Sequence, residues 1–181
     1  MKEAIDFSAF SPTDYRYAVD ELRAYLSDEA YVTYKAKIEG VLAQVFATRG
    51  LLKQDLCDEI VAAASTVTAE EVYQEEQKTK HDIRALVNII RSRVSDEAKP
   101  FVHLGATSYD VVDTANALRY RDAVLKVIIP DMLKLERTWM ELARREKNTL
   151  QIGRTHGQHA EPITFGFALA QYVNRWGSQF L

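Results

Sequence analysis

Apolar residues recur at helical spacing along most of the chain, and the elements they predict can be read off in order. Tyr31, Tyr34, Ile38, Val41, Leu42 and Val45 mark one face of a helix that Ser27 caps, with Asp28 and Glu29 in its first turn and Gly50 at its end. A second helix fits residues 54–64, and Thr68 with Glu71 has the capping-box spacing that opens a third. Ile83, Leu86, Val87 and Ile90 then place a helix start at or near Lys80, His81 and Asp82. Phe101 to Gly105 reads as a short extended piece, and Ser108 as the N-cap of the longest pattern in the chain.

That pattern spans residues 110–147, with Leu118, Leu125, Met132 and Trp139 seven apart and Ile128, Leu135 and Leu142 three residues after the last three of them. At 1.5 Å per residue such a helix is about 55 Å long, which suits a bundle seam. Pro130 is expected to kink it, because its ring removes a helical bond and crowds the preceding turn. A second bundle helix is expected from Pro162, with Phe165, Leu169, Tyr172, Val173, Trp176 and Phe180 on one side. It reaches the last residue without a stop signal, so the chain is expected to stop inside an incomplete bundle, with Phe165, Leu169, Trp176 and Phe180 left uncovered. The expected fold is all-α, with a small N-terminal helical domain (1–109) followed by the first long helices of a truncated central bundle (110–181).

Composition narrows the function classes. The 181 residues include 47% hydrophobic and 27% charged positions, ordinary for a globular chain that buries a core. With 23 Lys and Arg against 26 Asp and Glu, the net charge of -3 offers no field for capturing nucleic acid. The single Cys57 cannot form an internal disulfide and the first residues lack a signal-peptide core, so a cytoplasmic home is expected. The longest apolar run, residues 162–174, is well short of the roughly 20 residues that span a bilayer, so no membrane is expected as a partner.

Chemistry-bearing residues gather in residues 151–166, where Gly153 and Gly157 bracket Arg154, Thr155 and His156, and Gln158, His159 and Glu161 follow. This reads as a reactive loop between two helices. His156 is its sharpest residue, since an imidazole alone exchanges protons near neutrality without a large shift, although a hydrogen-bonded structural histidine fits the same pattern. His156 and His159 lack further His or Cys partners at ligand spacing, so no metal is expected. Lys80, His81 and Asp82, and likewise Thr107 and Ser108, lie where helix N-terminal N–H groups favour an anion; an ordinary cap fits both places equally. Arg16 between Tyr15 and Tyr17 suits a phosphate clamp with base stacking, or equally a solvated arginine beside packed tyrosines.

Taken together, Lys80-His81-Asp82, the run Leu-Gly-Ala-Thr-Ser-Tyr-Asp at 104–110, Asp113-Thr114-Ala115, and Gly-Arg-Thr-His-Gly-Gln-His-Ala-Glu-Pro at 153–162 resemble the amino-terminal portion of the adenylosuccinate lyases, within the fumarase/aspartase superfamily. Argininosuccinate lyases and fumarases are less similar at the Lys-His-Asp and Thr-His-Gly-Gln positions. The resemblance covers essentially the whole chain and implies β-elimination, splitting adenylosuccinate, and a succinylated imidazole carboxamide ribotide, to release fumarate without a cofactor. It implies that His156 is the general acid, flanked by substrate contacts at Thr155 and Gln158. It further implies that Arg16 and Tyr17 hold the nucleotide, that Lys80, His81 and Asp82 line its phosphate and ribose end, and that Thr107 and Ser108 grip a substrate carboxylate. A homotetramer acting on small molecules is implied as well. Two departures stand out: Tyr109 replaces a small polar residue common in the family, and no serine here sits in a loop resembling the one that carries the family's base. The rival from another class is a non-catalytic helical module whose seam binds a protein partner.

Overall fold

The computed structural model describes residues 16–179. The chain divides between Val124 and Leu125 into two compact units. In the first, a 3-10 turn at Asp20–Leu22 leads into α1 (Arg23–Leu26), followed by α2 (Asp28–Thr48), α3 (Gln54–Ser65), α4 (Ala69–Thr79), α5 (Asp82–Ser92), a second 3-10 turn at Lys99–Phe101, and α6 (Ser108–Ala123).

The caps read from sequence are formed. Ser27 Oγ accepts the Ala30 N–H at 3.1 Å, and Thr68 donates its N–H to Glu71 Oε2 at 3.0 Å while its hydroxyl accepts the Glu71 N–H at 3.4 Å. Arg93 ties this box to the end of α5, bonding both Glu71 and Thr66. Along α5 the predicted stripe Ile83, Leu86, Val87 and Ile90 is buried and joins Ile60, Val72 and Val111 in one core. At about 1.5–3 kcal/mol for each large apolar side chain, this cluster outweighs any capping contribution.

α2 buries a different face from the expected one. Val32, Ala36, Gly40 and Ala43 are buried, whereas Val41 and Val45 are exposed. α2 packs against both α3 and α6, and the small residues Ala36, Gly40 and Ala43 let two helices approach where Val41 and Val45 would hold them off. The segment around His103 is not extended: Leu104 N–H bonds Phe101 O and Ala106 N–H bonds His103 O, with His103 at φ 64° and Gly105 at φ 70°.

Between α6 and the next α-helix, residues Val124–Ile128 form a π-turn. The second unit continues with α7 (Ile129–Arg145), β1 (Leu150–Thr155), β2 (Gln158–Thr164) and α8 (Phe165–Gly177). Pro130 lies at the start of α7, so the five-residue π-turn before it is where the hydrogen-bond ladder adjusts to its missing N–H.

The stretch expected to be a loop is a β-hairpin, a small sheet within an otherwise helical fold. β1 and β2 pair antiparallel with Leu150 opposite Thr164 and Thr155 opposite Gln158, and the register shifts between Ile152 and Arg154. Pro162 lies within β2, opposite Ile152, and does not open the helix. A two-stranded ribbon leaves one edge of each strand free, where a missing N–H removes no ladder bond. Thr164 caps α8 instead, accepting the Phe167 N–H at 3.1 Å.

α8 packs on α7 through tight backbone approach and aromatic contact. A Cβ on Gly166 would lie 2.7 Å from Lys147 N and Cα, which only glycine permits. Trp139 meets Trp176 edge to face at 5.4 Å, and Trp176 Nε1–H donates to Met132 O at 3.1 Å. Phe165, Leu169 and Trp176 are therefore half-buried, correcting the expectation that they stand uncovered; the large exposed apolar side chains of α8 are Phe167 and Tyr172. Phe180 lies outside the described residues.

Candidate functional site

In the first unit the polar candidates converge where α5 and α6 begin. Lys80 ends α4 in the left-handed conformation (φ 53°), so the chain turns at once into α5 with His81 as its N-cap. His81 Nδ1 accepts the Arg84 N–H at 3.3 Å, which leaves the Nε2–H of that tautomer facing Ser108 Oγ at 3.3 Å. The N-cap of α6 is Thr107 and not, as the sequence suggested, Ser108: the Asp110 carboxylate reaches back to accept the Thr107 N–H at 2.8 Å. With the cap one residue earlier, the Ser108 hydroxyl is released from capping and meets the imidazole.

Asp82 is the charged anchor of this corner. Lys35, on α2 and only 4% exposed, places its Nζ 3.0 Å from Asp82 Oδ2. Burial alone would raise the Asp82 carboxyl, but the Lys35 hydrogen bond and charge hold it below the usual carboxylate range. Lys35 also lies over the Tyr31 ring at 4.1 Å, with the Arg119 guanidinium 4.3 Å from the same ring. Burial, followed by the Asp82 charge, pushes the Tyr31 phenol up. Two helix N-termini, an imidazole and a hydroxyl beside a fixed cation–carboxylate pair make a surface suited to hydrogen-bonding an anion such as a carboxylate.

The other candidates occupy the hairpin tip of the second unit. His156 and Gly157 form its two-residue turn with φ 50° and 73°, the positive pair of a type I′ turn. Thr155 and Gln158 face each other across the last register position, so Thr155, His156 and Gln158 stand together, exposed. Gly153 sits at the register shift, where a Cβ would come within 2.8 Å of Glu161 O. This bulge and the I′ turn fix the path of the strand that presents the histidine.

The structure thus groups His81, Asp82, Thr107 and Ser108 in one unit and Thr155, His156 and Gln158 in the other. Lys80 is exposed beside the first group. Arg16 and Tyr17 are exposed ahead of the first helical turn, and no hydrogen bond among the described residues joins them to His81 or Ser108. Tyr15 lies outside the described residues. Sequence reading missed Lys35 and Arg119; the available signal was a lysine four residues after Tyr31 and between Tyr34 and Ile38, on a face otherwise read as apolar. Among the described residues no three His, Cys, Asp or Glu side chains are arranged to hold a metal ion, and no helix is long and apolar enough to cross a membrane.

Comparison with known proteins adds a family. The profile of a family described as Lyase matches residues 13–179. An adenylosuccinate lyase of Methanocaldococcus jannaschii is 39% identical over 168 residues, covering 91% of this chain and 36% of the relative. An N-acetyl-S-(2-succino)cysteine lyase of Enterococcus italicus is 34% identical over 163 residues, covering 89% and 35%. Among solved structures, a fumarate lyase from Mesorhizobium sp. BNC1 superposes with a TM-score of 0.80 at 30% identity, over 90% of this chain and 38% of that one. The chain spans a little over a third of the length of the curated relatives it matches.

Proposed function

The chain belongs to this lyase family, within the fumarase/aspartase superfamily, and from that premise we propose that it serves an enzyme that cleaves adenylosuccinate to AMP and fumarate by β-elimination. The corresponding succinylated imidazole carboxamide ribotide of purine synthesis would be cleaved the same way. A base removes a proton from the carbon beside one succinyl carboxylate, the C–N bond breaks, and an acid returns a proton to the departing nitrogen. In this reading His156 is the acid, with Thr155 and Gln158 beside it. Thr107 and Ser108 hold a substrate carboxylate, Lys80, His81 and Asp82 line the phosphate and ribose end, and Arg16 with Tyr17 holds the nucleotide. The base comes from outside these 181 residues. Residues 1–109 act as the N-terminal domain and 110–181 open the central bundle of a cytoplasmic homotetramer, with no cofactor. The observation that supports this reading best is the 3.3 Å meeting of His81 Nε2 and Ser108 Oγ, which brings two helix N-termini together in a corner suited to an anion.

The test follows adenylosuccinate cleavage by absorbance in this chain alone and after mixing with a chain that supplies the remaining helices. The chain alone is expected to be inactive, because a missing base removes a factor of about 10² to 10⁴ before any loss of geometry. In the complemented enzyme His156→Gln is expected to abolish turnover while leaving substrate binding within about tenfold, since the imidazole acts mainly in the transition state. Steady turnover by the isolated chain, or retained turnover in the variant, would overturn the assignment. The 34% identity to the Enterococcus protein favours one second reading, elimination from a succinylated thioether. Offering N-acetyl-S-(2-succino)cysteine in the same assay separates the two.

A further inference from the structure

Glu39 lies in the middle of α2 among small and apolar neighbours, is 1% exposed, and has one carboxylate oxygen, Oε2, without a hydrogen-bond partner among the described residues. A buried carboxylate is costly to the fold unless paired, and an alanine or leucine would serve helix packing better. Its other oxygen meets His103 Nδ1 at 2.7 Å. Burial pushes the Glu39 carboxyl up, and the charge, ring N–H and backbone N–H of His103 pull it back.

His103 stands where the chain needs an external hold. Val102 before it is buried and Val111, one turn into α6, is buried, but Leu104 and Gly105 between them are exposed. The backbone bonds inside this segment are long, at 3.4 Å for Leu104 N–H to Phe101 O and 3.5 Å for Ala106 N–H to His103 O. His103 itself adopts φ 64°, a left-handed conformation uncommon for a side-chain-bearing residue although histidine takes it more readily than most. Two residues after Gly105 the chain reaches Thr107 and Ser108.

We propose that Glu39 is a positioning residue of the lyase site: by holding the His103 imidazole from within the core it fixes the segment 102–107, and so sets where Thr107 and Ser108 present their hydroxyls at the start of α6. This rests on the reading above that Thr107 and Ser108 bind a substrate carboxylate. The carboxylate touches no substrate; it acts through the segment.

The test compares Glu39→Gln, which keeps the shape but loses the charge, with Ile60→Val, a core change outside the segment that reports what lost stability alone does. In the 181-residue chain, amide hydrogen exchange at residues 104–108 is expected to accelerate by at least about tenfold in Glu39→Gln and to stay at the wild-type value, corrected for global stability, in Ile60→Val. In the complemented enzyme, KM for adenylosuccinate is expected to rise about tenfold in Glu39→Gln with kcat within about threefold, and to be unmoved in Ile60→Val. Unchanged exchange at 104–108 overturns the proposal, and so does accelerated exchange with an unchanged KM. If Thr107→Val and Ser108→Ala also leave KM unchanged, it is the carboxylate-site reading that has failed, whatever the exchange shows at Glu39.

Discussion

Replacing Lys35 by Met tests whether the corner at α5 is held by a buried cation. The thioether side chain keeps much of the packing of the lysine stem while removing the ammonium group, so the change isolates the charge. At 3.0 Å and an effective dielectric of about 20, the gross attraction between Lys35 and Asp82 is roughly 5 kcal/mol, most of it cancelled by the cost of removing both charges from water. A fully buried pair loses about 3–5 kcal/mol when one partner is deleted, but Asp82 is 38% exposed and can recover hydration, so a loss of about 1–3 kcal/mol is expected. For a unit of about 100 residues that corresponds to a Tm fall of roughly 5–15 °C by far-UV circular dichroism. Lys35→Met, Asp82→Asn and the double variant close a cycle whose coupling should be about 1–2 kcal/mol at neutral pH. Because the Asp82 carboxyl is held below its ordinary range, the stability it contributes is present above its unfolded pKa and is lost as pH falls through the lower folded value. Lys35→Met should flatten that acid slope. A coupling within about 0.3 kcal/mol of zero, or a variant at least as stable as the parent, would refute the argument.

The Glu71 carboxyl is held down to about 2 by its bonds from Thr68 and Arg93, so the stability it contributes is present above the ordinary value of 4.5 and is lost as pH falls from there to about 2. Urea unfolding across that window should show a steeper decline in the parent than in Glu71→Gln. Gly166→Ala places a methyl 2.7 Å from the Lys147 backbone and should destabilise by about 1–3 kcal/mol, where an unchanged melting temperature would mean that α7 and α8 separate at no cost. Ser108→Ala should leave thermal stability within about 0.5 kcal/mol, because Thr107 carries the cap, yet weaken fumarate binding in the complemented enzyme by about 1–3 kcal/mol. Calorimetry of both quantities separates the site from the cap.

The helical part of the fold was legible because its signals are local. Ser27, the Thr68–Glu71 box and the stripe on α5 each needed only a turn or two of sequence to declare themselves. What was lost in α2 was not its existence but its orientation. Reading Val41 and Val45 as buried assumed that size drives burial, while two neighbouring helices instead selected the small residues Ala36, Gly40 and Ala43. The hairpin was hidden for the opposite reason. β1 and β2 are mostly exposed, so no alternation of apolar and polar positions marks them, and Pro162 carried a helix-start signal that the free edge of a ribbon neutralises. His156-Gly157 was itself the hairpin signal, since histidine is among the few side chains enriched at positive φ and glycine completes the pair.

The candidate site was legible as a set of residue types but not as a geometry. Lys80, His81, Asp82, Thr107 and Ser108 were readable as helix starts, yet nothing within a helix-length window reveals that the α5 and α6 starts meet, 27 residues apart, through one imidazole. Lys35 and Glu39 were invisible for a related reason: each is a charge on a buried face, and sequence patterning reads such a position as an interruption until the partner across the core is known. The partners lie 47 and 64 residues away. Both buried charges sit on α2, a helix that contributes no candidate from the motifs; Lys35 reaches the candidate Asp82 itself, and Glu39 reaches His103, four positions ahead of Thr107. A helix chosen for small residues brings the neighbouring elements close, and the two charges that interrupt its apolar stripe then determine how the ends of those elements are held. The same close packing that hides α2 from hydrophobic periodicity is what lets it support the corner where the hydroxyl and imidazole meet.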